Sequence, residues 1–177
     1  MRFLAVPIGL SLLVTAAVPA GALPAGHSVT NLAAQAALTI TVPASRNLGN
    51  VFPGSSVSGQ LGTVIVSDTR AINPNTWTVT VSSTAYTTGG ASPAETIANS
   101  RISYWSGPQT AGTGGGNRVP GQLTSAQAQT LGVPRVAFSK TSGNQNNTCR
   151  WNPTVIVSVP AGAVAGLYTG RITHSVA

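Results

Sequence analysis

Acidic side chains are almost missing from this chain: Asp68 and Glu95 are its only carboxylates in 177 residues. A glycosidase built on two carboxylates would need both of them across one cleft. Asp68 is expected in a turn and Glu95 beside a Pro-containing loop, so that chemistry is not anticipated. Histidine is as scarce. His27 and His174 are the only two, and no nucleophile-elbow motif accompanies them. One cysteine, two histidines and two acids are too few for a four-ligand zinc site or a calcium cage, so no metal and no cofactor are expected. The glycines at 112–116 lack the Lys and Ser/Thr of a phosphate loop. The residues predict a non-enzymatic protein.

With Cys149 alone, no intramolecular disulfide can form. An odd cysteine in an exported chain can pair with a partner, or it can sit inside as a small hydrophobe. The second is the expectation, because cysteine is among the most buried residue types. Beyond the first residues no apolar run is long enough to span a bilayer.

The N-terminus reads as a secretory signal. Arg2 supplies the positive start, residues 4–18 are apolar except for Ser11 and Thr15, and Ala20-Gly21-Ala22 fits the small-x-small cleavage rule. Residues 1–22 are therefore expected to be removed and residues 23–36 to form a flexible N-terminal segment. Residues 37–177 then make one domain, long enough to bury a core. No transmembrane segment remains after the signal is removed.

Charged residues make up 6% of the chain and hydrophobic residues 42%, and the formal net charge is +7. The surface must be built largely from hydroxyls and amides. Arg46, Arg70, Arg101, Arg118, Arg135, Lys140, Arg150 and Arg171 are dispersed, without the run that tracks a phosphate backbone. Nucleic acid is not an expected partner. For an exported protein the polyanions within reach are cell-wall polymers, acidic glycans and lipid headgroups, and a mild positive field speeds encounter with any of them.

Strand signals recur with turn residues between them, at 37–42, 60–67, 77–82, 101–105, 135–139, 154–159 and 167–176. About seven strands of about five residues predict an all-β fold, an immunoglobulin-like antiparallel β-sandwich with long Gly-rich loops. Residues 47–58 and 142–148 read as loops, 107–121 as a mobile glycine-rich excursion, and 122–131 as the one place for a short helix. In the strand at 77–82, Trp77, Val79 and Val81 share the core face and Thr78, Thr80 and Ser82 the other. In the last strand Tyr168, Ile172, His174 and Val176 share a face, which turns His174 towards the core. Little charge guards the strand edges, so self-association is open to the protein.

Tyr104 and Trp105 are neighbours in a strand and must face opposite ways, one inward and one outward. An outward Trp beside Arg and amide groups is a stacking surface for a sugar ring. Trp105 with Arg101, and Trp151 with Arg150, are the candidates for a glycan-binding module. The simpler reading places every Trp in the core or over an edge.

Two stretches carry a family resemblance: 75–81 (NTWTVTV) and 159–176 (VPAGAVAGLYTGRITHSV). They resemble the WxL-type surface domain of Gram-positive, here actinobacterial-looking, envelopes. In that family two Trp-x-Leu motifs lie in strands of a β-sandwich that attaches non-covalently to the cell wall. Trp77 stands at the first motif's Trp and Val79 at its Leu, while His174 and Val176 fall where the second motif would be. The resemblance implies a secreted protein held at the cell wall or cell surface, with a wall polymer or glycan as partner and Trp77, Val79, His174 and Val176 as contact residues. The chain has no Leu-Pro-x-Thr-Gly sorting signal and no cysteine beside the cleavage site, so covalent anchoring is not indicated.

Overall fold

Alternation of apolar and hydroxyl residues, with few exceptions, writes the inner and outer faces of this protein directly into the chain. In the computed structural model, which describes residues 36–177, strands account for 43% of residues and helix for 6%. The expectations for residues 1–22 and for most of 23–36 lie outside the described residues. Residues 36–177 belong to one compact unit.

Fourteen strands are formed among the described residues. A first sheet has the order β1 (Leu38–Thr41), β3 (Val64–Asp68), β12 (Asn147–Trp151), β8 (Gln109–Thr113). A second runs β10 (Gln129–Thr130), β7 (Ile102–Trp105), β13 (Thr154–Ser158), β2 (Ser56–Gln60). A third runs β14 (Ile172–Val176), β4 (Trp77–Ser83), β11 (Arg135–Lys140), β9 (Arg118–Pro120). A short pair, β5 (Tyr86–Thr87) and β6 (Thr96–Ile97), stands apart. All pairings are antiparallel. The all-β antiparallel sandwich is thus the observed class, with twice the strands that periodicity suggested.

All three sheets feed one core. Val64, Val66, Cys149 and Trp151 come from the first, Ile102, Tyr104, Val155 and Val157 from the second, and Trp77, Val79, Val81 and Phe138 from the third. Each large apolar side chain enclosed there contributes about 1.5–3 kcal/mol. The opposite residues of the same strands are hydroxyls: Thr78 and Thr80 of β4 and Thr173 and Ser175 of β14 are exposed. With 6% charge, those hydroxyls carry the solvent contact.

Several segments depart from the sequence expectation, each for a local reason. The run 60–67 is two strands in different sheets. The chain crosses between them at Gly62, whose φ is +103° and whose N–H donates to Asn152 Oδ1 at 3.1 Å. The end of the 47–58 loop is β2, a small-residue edge strand held by pairing with β13. The glycine-rich stretch 107–121 is not a free excursion but β8, a tight turn and β9. At Gly116 (φ +109°) a Cβ would lie 2.1 Å from the Ser142 carbonyl oxygen, so only glycine lets the two loops meet. The last residues of 142–148 begin β12, and the expected helix in 122–131 is a single 3-10 turn, Ser125–Gln127, with a Thr124–Gln127 capping box. Residues 167–171 precede β14 rather than joining it; Tyr168 Oη instead donates to the carbonyls of Ala94 and Val164 at 3.1 and 3.0 Å.

Asp68 is likewise not in a turn. It ends β3 with no exposure and centres a buried polar knot. Arg70 grips its carboxylate through Nε at 2.9 Å and Nη2 at 2.8 Å, and the Arg70 backbone N–H adds a third bond at 3.0 Å. Asn147 links the first and third sheets: its Oδ1 accepts from the Trp77 indole at 3.1 Å and its Nδ2 donates to Asn75 Oδ1 at 3.2 Å. The enclosed Lys140 ammonium donates to the carbonyls of Asn75 and Gly143. Its pKa is lowered by burial first and by Arg118 next, against the pull of Asp68.

Burial pushes the Asp68 carboxyl up, but the hydrogen bonds and charge of Arg70, with Asn75, outweigh it and hold the group below its ordinary value. A depressed carboxylate stabilises the fold above about pH 4 and loses that contribution as pH falls through its folded pKa. Breaking such a pair costs about 3–5 kcal/mol when the partner stays buried. Arg70 keeps 27% of its side chain exposed, which puts the cost of Asp68→Asn at about 3 kcal/mol. Urea unfolding at neutral pH is expected to show that loss, and the variant's stability is expected to change less than the wild type's below about pH 4.

Candidate functional site

The residues that carry the family resemblance are brought together, but inside. Val79 of β4 faces Val176 of β14 directly across the ladder, and His174 faces Val81. Trp77 is 2% exposed and Val79 fully buried, with the Trp77 indole N–H bonded to Asn147. Neither can touch a polymer outside the protein, which corrects their assignment as surface contacts. Their strand sits in the middle of its sheet between β14 and β11, so the alternation that makes Trp77 conspicuous also turns it inward. Val176 is half-buried on the same inner side.

His174 does point towards the core, and it ends a directed hydrogen-bond relay. The Trp151 indole N–H donates to Tyr104 Oη at 3.4 Å, and Tyr104 Oη lies 3.1 Å from His174 Nε2. An indole N–H can only donate, so the Tyr104 proton is free to go to His174 Nε2, and the tautomer that fits carries its hydrogen on Nδ1. Burial lowers the His174 pKa from 6.5 to about 4, which keeps the imidazole neutral and able to accept. Burial also raises the Tyr104 phenol well above its ordinary value, against a smaller effect of the Trp151 hydrogen bond.

Of the two glycan platforms, one is removed. Trp151 has no exposure and stacks on Phe138 with ring centroids 4.9 Å apart; its neighbour Arg150 points out of the first sheet alone. Tyr104 is the inward member of its pair and Trp105 the outward one, half-buried on the outer face of the second sheet. Trp105 pairs with Thr154, which pairs in turn with Gln60. Arg101, exposed, stands just before the same strand. Cys149 is enclosed as expected, and burial raises its thiol pKa to about 11, so it stays protonated.

A cleft of about 870 Å³ that no sequence motif announced lies between the segments 42–53 and 164–171. Its floor is mostly apolar: Val57, Leu61, Val157 and Val159 on one side and Ile172 on the other, with the His174 imidazole beside it. Both walls are loops in the fold, the second lying partly within the stretch from 167 whose pattern predicts strand. The signal that could have revealed them is a large apolar residue stranded in each, Phe52 and Leu167, which stay 83% and 80% exposed.

Neither carboxylate of the chain is among the cleft's lining residues. Asp68 is held in the knot, and Glu95 accepts the Ser92 backbone N–H at 3.0 Å, closing the 3-10 turn Pro93–Glu95. No helix among the described residues is long and apolar enough to cross a membrane. No family model matches the chain, and no curated protein matches it.

The burial of His174 gives the fold a pH dependence of known sign. In the unfolded chain His174 takes a proton near pH 6.5, in the folded protein only near pH 4. Stability is therefore complete above about pH 6.5 and falls as pH drops to about 4, by about 3 kcal/mol. His174→Gln, which keeps an acceptor but cannot titrate, is expected to flatten the urea midpoint across this window. A wild-type midpoint that does not move there would refute the burial of a neutral His174.

Proposed function

We propose that this chain is a non-enzymatic exported protein of the cell surface or cell wall, attached non-covalently through an anionic envelope polymer. The observation that carries the proposal is the charge left outside. Arg70 and Lys140 are taken up in the buried knot. Arg46, Arg101, Arg118, Arg135, Arg150 and Arg171 remain at least partly accessible, and the one ion pair among the described residues is Arg70–Asp68. A surface with many cations and a single accessible carboxyl, Glu95, attracts polyanions without needing a shaped pocket.

The secretory signal read at 1–22 and the likeness of Trp77, Val79, His174 and Val176 to a WxL-type domain add to this reading. In it, those four residues build the sandwich that displays the arginines; they do not themselves touch the wall. A second reading, a glycan-binding module, is favoured by the outward, half-buried Trp105 and the exposed Gln60, which share one cross-strand row across the buried Thr154. It needs a specific sugar rather than a charged polymer.

Retention of the purified protein on isolated Gram-positive cell walls, followed across a salt series, tests the proposal. Binding is expected at low ionic strength and release by about 0.5 M salt, where the screening length has fallen well below the ~10 Å of 0.1 M. Trp105→Ala is expected to bind like the wild type. Salt-insensitive retention that Trp105→Ala abolishes would move the function to glycan recognition, and no retention at any salt would overturn wall attachment.

A further inference from the structure

We infer that the cleft between segments 42–53 and 164–171 binds a single-chain amphipath with an anionic head, a long-chain carboxylate. This does not rest on the envelope reading. About 870 Å³ is within the range of small-molecule pockets, which are mostly apolar with a few placed polar groups. The cleft has that composition. Its floor is Val57, Leu61, Val157, Val159 and Ile172, and its charged lining consists of Arg46 and Arg171 with no carboxylate.

Both walls are preformed. On one side Leu48 lies so close over β2 that a Cβ at Gly59 would come within 2.9 Å of its Cδ2, and Pro43 packs likewise against Gly62. On the other, the Tyr168 hydroxyl ties down the carbonyls of Ala94 and Val164. Thr84 clamps the backbone of Arg171 from both sides, its Oγ1 accepting the Arg171 N–H and its own N–H donating to the Arg171 carbonyl, each at 3.0 Å.

Phe52 and Leu167, one from each wall, keep more than three-quarters of their surface in water. They have what an acyl chain would cover. The two guanidiniums have no carboxylate partner among the described residues, so an anionic head fits the cleft and a cationic one is repelled. A neutral sugar would leave both the apolar floor and the arginines unanswered.

The test titrates the purified protein with the fluorescent fatty acid parinarate and displaces it with laurate, dodecanol or dodecyltrimethylammonium. One saturable site is expected, with laurate the best competitor and the cationic detergent the worst. Leu167→Asp, at an exposed position that folding does not need, is expected to weaken laurate at least about tenfold. Arg46→Gln combined with Arg171→Gln is expected to bring laurate down to the affinity of dodecanol. Any of three results would overturn the inference: no saturable uptake of monomeric fatty acid, displacement indifferent to both variants, or association only with anionic phospholipid vesicles in flotation. The last would mean that Phe52 and Leu167 meet a membrane surface instead.

Discussion

Two carboxylates are all this protein has, and both are committed to structure. Asp68 neutralises Arg70 and accepts three of its hydrogen bonds at the end of β3; Glu95 closes a 3-10 turn. Everything else about the charge distribution follows from that commitment. The remaining arginines have almost nothing of opposite sign to meet on the molecule, so surface ion pairs cannot stabilise it and the outside is left positive. Cohesion has to come from apolar burial and from hydrogen bonds, which is where the alternating strands and the enclosed polar groups enter.

Those enclosed polar groups are not scattered. The knot of Asp68, Arg70, Asn75, Trp77, Lys140 and Asn147 joins β3 and β12 of the first sheet to β4 and β11 of the third. The relay Trp151–Tyr104–His174 joins all three sheets. A one-residue slip of any of these strands would invert its faces and also strand a buried charge or donor, which costs more than a misplaced methyl group. Hydroxyl-rich outer faces alone would specify register weakly. The inner polar bonds make it definite.

How far the chain could be read without coordinates depended on whether a strand has two different faces. Where it does, as in β4 with Trp77, Val79 and Val81 against Thr78 and Thr80, both the strand and its orientation were legible, and so was the inward turn of His174 and the opposition of Tyr104 and Trp105. Where it does not, the strand was missed: β8 is exposed along its whole length, and the glycines of the turn that follows imitate a linker while serving a close loop contact. The start of β12 was hidden because Asn147 is a polar residue facing inward to hold Trp77. Trp151 looked available beside Arg150 for the same reason. The cleft was illegible because its walls come from loops far apart in the chain, brought together by β2 and β14 lying in different sheets.

A positive surface left by having only two acids, one of them buried against Arg70, is the centre of this account, and a defined soluble polyanion measures it without assuming what the natural partner is. The binding constant of the protein for polyglutamate, plotted as its logarithm against the logarithm of salt concentration, reports how many counterions are released. A straight line with a clearly negative slope, made shallower by Arg101→Gln and Arg150→Gln together, is the expected result. A flat line, or a slope those two substitutions leave untouched, would contradict it.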